Sequence, residues 1–516
     1  MAATPLPPFN RAALARFLAA ASGADGAEIT GLELLPGGAI QENWGLDAVF
    51  AGGGLAGRQR LVLRTDAPTG VAGSLSRIEE FAVLQAVLAT GVTVPEPLWA
   101  CADPGVLGKP FFVMRRVSGS AQGRQITTDP ALHPALPGVA VHLAEELARI
   151  QTIRPPRRDL GFLPTIGPAE HIAGFRAYFD RHPRPRPVLE WAIRWLETHL
   201  PEPLAPVLCH RDFRTGNYLL DGAELTGILD WEFAGWGDPD EDIGWFCCKG
   251  WRFARLDREA GGIAERAPFY AAYEAASGRR LDPARVFFWE VLANVRWAVI
   301  ALQQSDRHLI GGARDLSTAI IGRRATECEL ELLMLLDPEG APNGIPSPPP
   351  GERVGVRGQT PNSPRAPSPV SPLPRPATLS RGAGEGLKMR DRPSGAALLA
   401  LGRQWLLDDL LPLLPAERHR ELRLVAAAMA IAEREAAAGD GQVFEIGEML
   451  VSIYAGLEAV GALGDLLLRL AADLRDGAFE TCEMRRRNAR ALLWQLTMMK
   501  LREGNPQFLA DNGFGD

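Results

Sequence analysis

Four polar residues at fixed spacing, between positions 210 and 230, constrain the fold more than any other feature of the chain. His210 and Asp212 are followed by Asn217, and Asp230 comes directly after the apolar run at residues 225–229. That run has β-type sequence, so the pattern predicts a loop and then a hairpin whose second strand ends at Asp230. Such a hairpin supplies a candidate base and two oxygen ligands for a metal ion in one place.

The spacing from His210 to Asn217 is H-R-D-x-x-x-x-N, which is typical of catalytic loops in phosphoryl transfer. In that reaction the protein mainly positions the reactants and neutralises charge. Asp212 is predicted to hold the acceptor hydroxyl and take its proton, while Asn217 and Asp230 bind Mg²⁺. Arg214 is predicted to contact the transferred phosphate as a fixed positive charge, which completes a catalytic set with Asp212 and His210.

Each of these residues has an ordinary structural explanation when it is taken alone. A lone H-x-D is common in loops, and an aspartate at the end of a strand is usually a cap or a turn residue. The joint spacing of all four residues, with a β-type segment before the last one, favours the catalytic interpretation over chance.

The same stretch resembles the aminoglycoside phosphotransferase family, a kinase-like superfamily that also includes choline and homoserine kinases. The signature of that family is similar to H-G-D-x-x-x-x-N followed by L-D-W-E-x-A-x-x-G-D-P-x-x-D. Residues 229–232 and 237–239 match the second part, together with Ala234 and Asp242, whereas Arg211 stands where glycine is usual.

The resemblance implies an α+β, two-lobed, protein-kinase-like fold, with an antiparallel sheet in the N-lobe and a mainly helical C-lobe. It also implies ATP and Mg²⁺ as cofactors and a small molecule bearing a hydroxyl group as the partner. We therefore assign residues 1–117 to a nucleotide-binding N-lobe and residues 118–336 to a C-lobe that carries catalysis and substrate binding.

Two glycines and a strand-end arginine are candidates for holding the nucleotide. Gly37 and Gly38 lie in a turn between strands, where glycine lets backbone N–H groups approach phosphates. A plain hairpin is the alternative for that turn. Arg64 ends the next strand, where kinases carry a lysine, and by the family pattern Glu80 in the following helix is its ion-pair partner. The alternative for Arg64 is a solvated strand end.

The β-type run at residues 109–117 is predicted to lead into the hinge between the lobes. Backbone groups there would bind adenine with Met114 behind it, and Arg116 is assigned to the same nucleotide site. Helical patterning follows the hinge and continues to about residue 336.

The composition then changes. Residues 338–376 contain 13 of the chain's 42 prolines, so residues 337–390 are predicted to be a disordered linker. Residues 391–516 are helical again, with apolar stripes typical of a small bundle. This part resembles a helical domain of unknown function found with such phosphotransferases, and docking to a protein partner or homo-oligomerisation is its expected role.

Charge and cysteine usage restrict the other partners. A net charge of −7 gives no sign of a nucleic-acid partner, and the six cysteines form no C-x-x-C pair. No signal pattern or uncharged apolar run of spanning length is seen, so no membrane partner and a cytoplasmic location are expected.

Two functions of different class remain open. The first is an ATP-dependent small-molecule kinase, with a hydroxylated acyl thioester as a candidate acceptor by analogy with members associated with acyl-CoA metabolism. The second is a catalytically weak pseudokinase that binds nucleotide and acts as a regulatory or scaffold module through its C-terminal bundle. Arg64 in place of lysine favours the second, and the intact set of Asp212, Asn217 and Asp230 favours the first.

Overall fold

A computed structural model describes residues 10–35, 41–67, 73–253, 255–311, 316–342, 395–439, 441–454 and 462–514. Contacts divide the chain into two compact units. The first unit comprises Met1–Val299 and Leu474–Gly477, and the second comprises Ile300–Asp473 and Ala478–Asp516.

The first unit opens with an antiparallel sheet of five strands in the order β1-β2-β3-β5-β4. Its strands are β1 (Gly26–Leu34), β2 (Gln41–Ala51), β3 (Gly57–Asp66), β4 (Pro97–Cys101) and β5 (Phe111–Arg115), and its helices are α1 (Arg11–Ser22), α2 (Arg77–Ala89) and α3 (Pro104–Leu107). Asn10 caps α1 by accepting a hydrogen bond from the Ala13 N–H, as its position in the sequence indicates.

Alternation along β3 gives the sheet two apolar faces. Leu61 and Leu63 belong to a core cluster with Leu14 and Leu18 of α1, whereas Val62 belongs to the cluster that contains the buried residues of α2. Successive side chains of a strand point to opposite faces, so Arg64 shares the face of Val62. This register places Arg64 towards α2.

The rest of the first unit is mainly helical and carries two small two-stranded sheets. Its helices are α4 (Gly123–Thr128), α5 (Leu136–Ile150), α6 (Pro168–Arg181), α7 (Pro187–Thr198), α8 (Glu241–Cys247), α9 (Arg266–Ser277) and α10 (Pro283–Leu309), whose last residues fall in the second unit. The strands are β6 (Val207–Cys209), β7 (Tyr218–Asp221), β8 (Glu224–Ile228) and β9 (Gly235–Gly237), with β6 paired to β9 and β7 to β8.

One helix in the described ranges, α10, is long and apolar enough to cross a membrane by length and composition. However, 78% of its most apolar window is buried inside the protein. A helix that is apolar on all sides and buried is typical of a protein core.

The second unit is helical throughout its described residues. Its helices are α11 (Leu316–Ile321), α12 (Ala325–Leu336), α13 (Gly395–Trp405), α14 (His419–Ala438), α15 (Gly441–Ile453), α16 (Leu463–Arg475) and α17 (Glu483–Gly504), followed by α18 (Pro506–Asp511). At the end of α12, the Asp337 carboxylate accepts hydrogen bonds from Arg490 Nη1 at 3.0 Å and Trp494 Nε1 at 3.1 Å. Helix α12 therefore belongs with the C-terminal helices, and the division into units groups α11 with them as well.

These observations confirm the predicted α+β, kinase-like class. The four predicted domain spans stay predictions, and the contacts divide the chain earlier, at Val299, than the predicted lobe end at residue 336. Gly37, Gly38 and most of the predicted linker lie outside the described residues.

Candidate active site

The backbone of the loop that contains Asp212 is held by Asp242 of α8. One Asp242 oxygen accepts a hydrogen bond from the His210 N–H at 2.7 Å, and the other accepts from the Arg211 N–H at 2.8 Å. Burial, with Glu241 beside it, raises the pKa of Asp242 to about 7, although the two backbone donors oppose the rise. The last aspartate of the sequence motif thus fixes the loop that its first residues form.

Arg211 occupies the left-handed region with φ 64°, which explains why glycine is usual at this position of the family signature. A side chain costs about 1–2 kcal/mol in that conformation. The buried guanidinium donates from Nη2 to the Trp236 carbonyl at 2.9 Å and the Ile166 carbonyl at 3.3 Å. Its Nε also lies 3.5 Å from Glu241, so local contacts offset the backbone strain.

Glu241 is the centre of a buried charge cluster behind the loop. Its Oε1 lies 3.1 Å from His171 Nε2 and 3.4 Å from Arg296 Nη1. Burial alone would raise the pKa of Glu241, but His171 and Arg211 lower it to about 2. The carboxylate therefore stays ionised and compensates the positive charge of Arg211.

The carboxylate of Asp212 is held by three side-chain donors. Oδ1 accepts hydrogen bonds from Trp245 Nε1 at 2.9 Å and from Arg214 Nε at 3.0 Å. Oδ2 accepts from Asn217 Nδ2 at 2.5 Å. A carboxylate offers about two acceptor sites on each oxygen, so Oδ2 keeps one site for a further proton donor. This is the arrangement that a general base needs.

His210 lies beneath this loop and is fully buried. Its Nε2 lies 2.8 Å from the Leu229 carbonyl, and its Nδ1 accepts a hydrogen bond from the Asp212 N–H at 3.2 Å. These partners require a neutral ring protonated on Nε2, and burial lowers the pKa of His210 accordingly. Both ring nitrogens are therefore used on the backbone of the loop and hairpin, and the assignment of His210 to the catalytic set stays a prediction.

Asn217 and Asp230 each supply a side-chain oxygen, and the Leu229 N–H, next to Asp230, donates to the Asn217 carbonyl at 2.8 Å. The Nδ2 group of Asn217 is used on the Asp212 carbonyl and carboxylate, which leaves Oδ1 for a cation. Asp230 follows β8 with φ 63°, and its Oδ1 lies 2.9 Å from Arg64 Nη1. An aspartate adopts this backbone region more readily than most residues, and such conformations concentrate at functional sites.

Arg64 joins the sheet to the catalytic hairpin. Its Nε lies 3.0 Å from the buried Glu80 carboxylate, and its Nη1 also donates to Asn43 Oδ1 at 3.2 Å. Burial alone would lower the pKa of Arg64, but Glu80 and Asp230 raise it above the usual value. The structure thus brings together the predicted pair, and the Arg64 side chain is 5% exposed rather than a solvated strand end.

Sequence reasoning missed several polar residues that surround Glu80. Arg77, fully buried, forms an ion pair with Glu80 and donates to the Leu75 carbonyl at 2.6 Å. Glu232 accepts hydrogen bonds from Ser74 Oγ at 2.6 Å and Gln41 Nε2 at 2.9 Å, and burial raises its pKa. Glu232 was visible as the glutamate of the L-D-W-E match, whereas Arg77 gave no signal beyond its place three residues before Glu80.

Met114 and Arg116 were also predicted to hold the nucleotide, and their contacts say less about that role. Met114 of β5 is buried in the core cluster that includes α2. The Arg116 N–H donates to the Arg60 carbonyl at 3.0 Å, and its guanidinium lies 3.2 Å from Glu33. Their roles towards a nucleotide stay predictions.

The side-chain oxygens of Asp230 and Asn217 fit a cation that also binds phosphate oxygens. No group of three or more His, Cys, Asp or Glu residues in the described part of the chain could hold a metal ion alone. Mg²⁺ is usually bound by one or two carboxylates together with phosphate oxygens and water, and Asp230 with Asn217 matches that number. In addition, Arg64 Nη2 is buried without a hydrogen-bond partner, which is an unused donor beside Asp230.

Part of the chain is similar to known phosphotransferases. Residues 34–287 match the model of the phosphotransferase enzyme family, APH. The chain is 32% identical over 203 residues to acyl-CoA dehydrogenase family member 10 of Mus musculus, covering 37% of this chain and 18% of that protein. It is 29% identical over 198 residues to family member 11 of Homo sapiens, covering 37% of this chain and 25% of that protein. The matched stretch therefore spans a quarter or less of these relatives.

A solved structure shows the same fold. The crystal structure of a "putative aminoglycoside phosphotransferase" from Ralstonia eutropha JMP134 aligns with a TM-score of 0.51 and 21% sequence identity. The alignment covers 63% of this chain and 98% of that one. Residues 34–287 of this chain therefore resemble the phosphotransferase enzyme family in sequence, and the chain shares its fold with this solved structure.

Proposed function

We propose that this chain transfers the terminal phosphoryl group of ATP to a hydroxyl group of a small molecule. The observation that carries the proposal is the environment of Asp212, whose Oδ1 has two donors and whose Oδ2 has one. An acceptor hydroxyl that donates to Oδ2 is held and oriented there. As the oxygen attacks phosphorus, its proton passes to Oδ2, and ADP leaves.

The negative charge of the ATP phosphates would be neutralised by Mg²⁺ and by two arginines. Asn217 Oδ1 and Asp230 would hold Mg²⁺, which when bound neutralises phosphate charge and orients the leaving group. Arg64 would contact phosphate through Nη2, the donor that has no protein partner. Arg214 presents a partly exposed guanidinium next to Asp212, where the transferred group must pass.

The proposed acceptor is a hydroxylated acyl thioester. Support comes from the two named relatives, which are acyl-CoA dehydrogenase family members and contain a stretch similar to this one. Several aromatic rings also lie near the base, since Trp245 contacts Asp212 and the Trp251 ring centroid is 5.1 Å from that of Trp245. Both rings are buried, so the similarity to the two relatives is what carries the choice of acceptor.

A second candidate is a nucleotide-binding regulatory module with weak turnover. The contact that favours it is the ion pair between Arg64 Nη1 and Asp230 Oδ1 at 2.9 Å, because it engages the proposed metal ligand with a protein cation. Turnover requires that Asp230 exchange this partner for Mg²⁺.

The test is turnover of MgATP with a panel of hydroxyacyl-CoA thioesters and the matching acyl-CoA thioesters that lack the hydroxyl. We expect ADP release with the hydroxylated compounds alone, and a product heavier by one phosphoryl group. Asp212→Asn should lower turnover by at least about a hundredfold while MgATP affinity changes by no more than a few-fold. Nucleotide binding without turnover on any hydroxylated compound would favour the regulatory module.

A further inference from the structure

The indole of Trp245 makes a contact with the base that the sequence motif does not indicate. Trp245 lies one helical turn after Asp242 in α8 and is 2% exposed. Its Nε1 donates to Asp212 Oδ1 at 2.9 Å, and an indole N–H can only donate. The first two turns of α8 therefore hold both the backbone of the loop, through Asp242, and the side chain of the base, through Trp245.

The Trp245 ring is itself fixed by its neighbours. The Arg296 guanidinium carbon lies 4.6 Å from the Trp245 ring centroid, and Arg296 Nη1 lies 3.4 Å from Glu241. On another side, the Trp251 ring packs at 5.1 Å and carries the Arg214 guanidinium at 4.6 Å from its own centroid. Cation–π contacts of this kind are strongest where the cation is desolvated, and the Arg296 side chain is only 14% exposed.

Both donors to Asp212 Oδ1 are thus supported by the same aromatic pair. Trp245 donates directly, and Arg214 donates from its position over Trp251. With Oδ1 saturated by these donors and Oδ2 holding only Asn217, the carboxylate plane is fixed with one free acceptor site. Loss of the indole N–H would free the carboxylate to turn and to accept a proton donor through either oxygen.

We propose that Trp245 is a positioning residue that fixes the Asp212 carboxylate so that Oδ2 receives the acceptor proton. This inference rests on the proposed function, because it assigns a task only if Asp212 is a base. If Trp245 only filled space, a ring of the same volume could replace it. If Trp245 positions Asp212, the hydrogen atom on Nε1 is required for turnover.

The kinetic test removes that hydrogen alone. Benzothienylalanine at position 245 keeps the shape of the double ring and replaces the indole N–H with sulfur, and Trp245→Phe is a simpler second variant. We expect turnover with MgATP and a hydroxyacyl-CoA acceptor to fall about tenfold in both, because a hydrogen bond to a charged group is lost. Affinity for MgATP should stay within about twofold. Trp99→Phe, in β4 away from Asp212, is the matched control and should keep parental turnover.

A double replacement separates the two proposals. In an Asp212→Asn background, the change at position 245 should lower turnover by less than about twofold, because the coupling to the carboxylate is already gone. If benzothienylalanine at 245 keeps full turnover while Asp212→Asn loses it, the inference is wrong and the proposed function stands. If Asp212→Asn itself keeps turnover, both are wrong.

A direct readout does not require turnover. In protein labelled with ¹⁵N-tryptophan, the Trp245 indole resonance is assigned by its absence in Trp245→Phe. We expect Asp212→Asn to shift this resonance more than any other indole resonance, since the acceptor changes from a carboxylate to an amide. An unmoved Trp245 resonance would show that the hydrogen bond is absent in solution and would overturn the inference.

Discussion

At the scale of single residues, Arg64 makes contacts that a lysine could not make at once. Its Nε meets Glu80, and its Nη1 meets both Asp230 and Asn43. A guanidinium has five donors in a fixed plane, whereas an ammonium is a single point charge. This geometry explains how an arginine can stand where kinases carry a lysine.

The first prediction concerns replacement of Arg64. Arg64→Ala should raise the KM for MgATP by at least about tenfold, because a charged contact to phosphate is lost. Arg64→Lys should raise it less, since one charge remains but fewer contacts can be made. The measurement is a titration of turnover against MgATP. Arg60→Ala, which removes an exposed charge from the same strand, is the control. Unchanged kinetics in Arg64→Ala would mean that another cation holds the nucleotide.

The second prediction concerns His210 and pH. Burial lowers the pKa of His210 in the folded protein, while an unfolded histidine titrates near about 6.5. The stability that this residue contributes is therefore complete above that pH and is lost as the pH falls below it. We expect the His210 ring resonance, assigned by its absence in His210→Gln, to titrate with a midpoint below the unfolded value of about 6.5. A midpoint near the unfolded value would contradict the buried, backbone-bonded ring.

Motif spacing predicted which residues meet, but not all of their neighbours. His210, Asp212, Asn217 and Asp230 are close together because a short loop and a tight hairpin leave their spacing little freedom. Trp245 could not be identified in the same way. Its sequence neighbourhood is rich in aromatic residues, and a tryptophan in the core and one that donates to a carboxylate have the same local pattern.

At the scale of elements, the start of α8 holds the loop at Arg211 in place. Asp242 accepts from two successive backbone N–H groups, and one of these belongs to a residue with φ 64°. The left-handed turn is what directs both N–H groups to the two carboxylate oxygens. Sequence alone showed that Arg211 departs from glycine, but not that its guanidinium is buried near Glu241.

The third prediction separates the backbone of Arg211 from its side chain. Arg211→Ala and Arg211→Gly both remove the bonds to the Ile166 and Trp236 carbonyls, but only glycine removes the left-handed strain. The alanine variant should therefore be less stable than the glycine variant by about 1 kcal/mol in urea unfolding. At Arg16, exposed inside α1, the order should reverse, with glycine less stable than alanine by about 1 kcal/mol. Equal stability of the two Arg211 variants would show that the turn carries no such strain.

Alternation and periodicity predicted the elements themselves better than their limits. The strand expected to end at Arg64 continues to Asp66, and the expected helix that carries Glu80 spans Arg77–Ala89, after a capping box at Ser76 and Glu79. Strand ends depend on the pairing partner, and β3 continues because β2 and β5 flank it. Such tertiary pairing is absent from the local sequence.

At the scale of the whole molecule, the sequence and the contacts disagree on where the second helical unit begins. Composition changes after residue 336, so the sequence predicted a boundary there. The contacts instead group Ile300–Leu336 with the C-terminal helices, although a Pro-rich segment separates them in sequence. Composition indicates which segments can bury apolar surface. It does not indicate which other segment each of them packs against.

The last prediction follows from this grouping. Within the second unit, α12 meets α17 through Asp337, which bonds Arg490 and Trp494, and through Glu327, which accepts from Asn505 Nδ2 at 2.9 Å. One of these bonds is buried and two are partly buried, and a buried carboxylate left without its donor costs about 1–3 kcal/mol. We therefore expect residues 1–342 and 391–516, expressed as two chains in one cell, to purify together. The fragment 1–342 alone should unfold at a lower temperature than the pair.

Two replacements show whether this contact is the cause. Asp337→Ala removes the acceptor of one buried and one partly buried bond and should weaken association of the two chains by at least about tenfold. Arg323→Ala is the matched control: its ion pair with Glu435 also joins the two chains, but both side chains are nearly half exposed. Exposed ion pairs contribute about 0–1 kcal/mol, so this variant should associate almost as the parent does. If residues 1–342 instead fold to full stability alone and do not retain 391–516, then the boundary at residue 336 is correct and helices α11 and α12 belong to the phosphotransferase part.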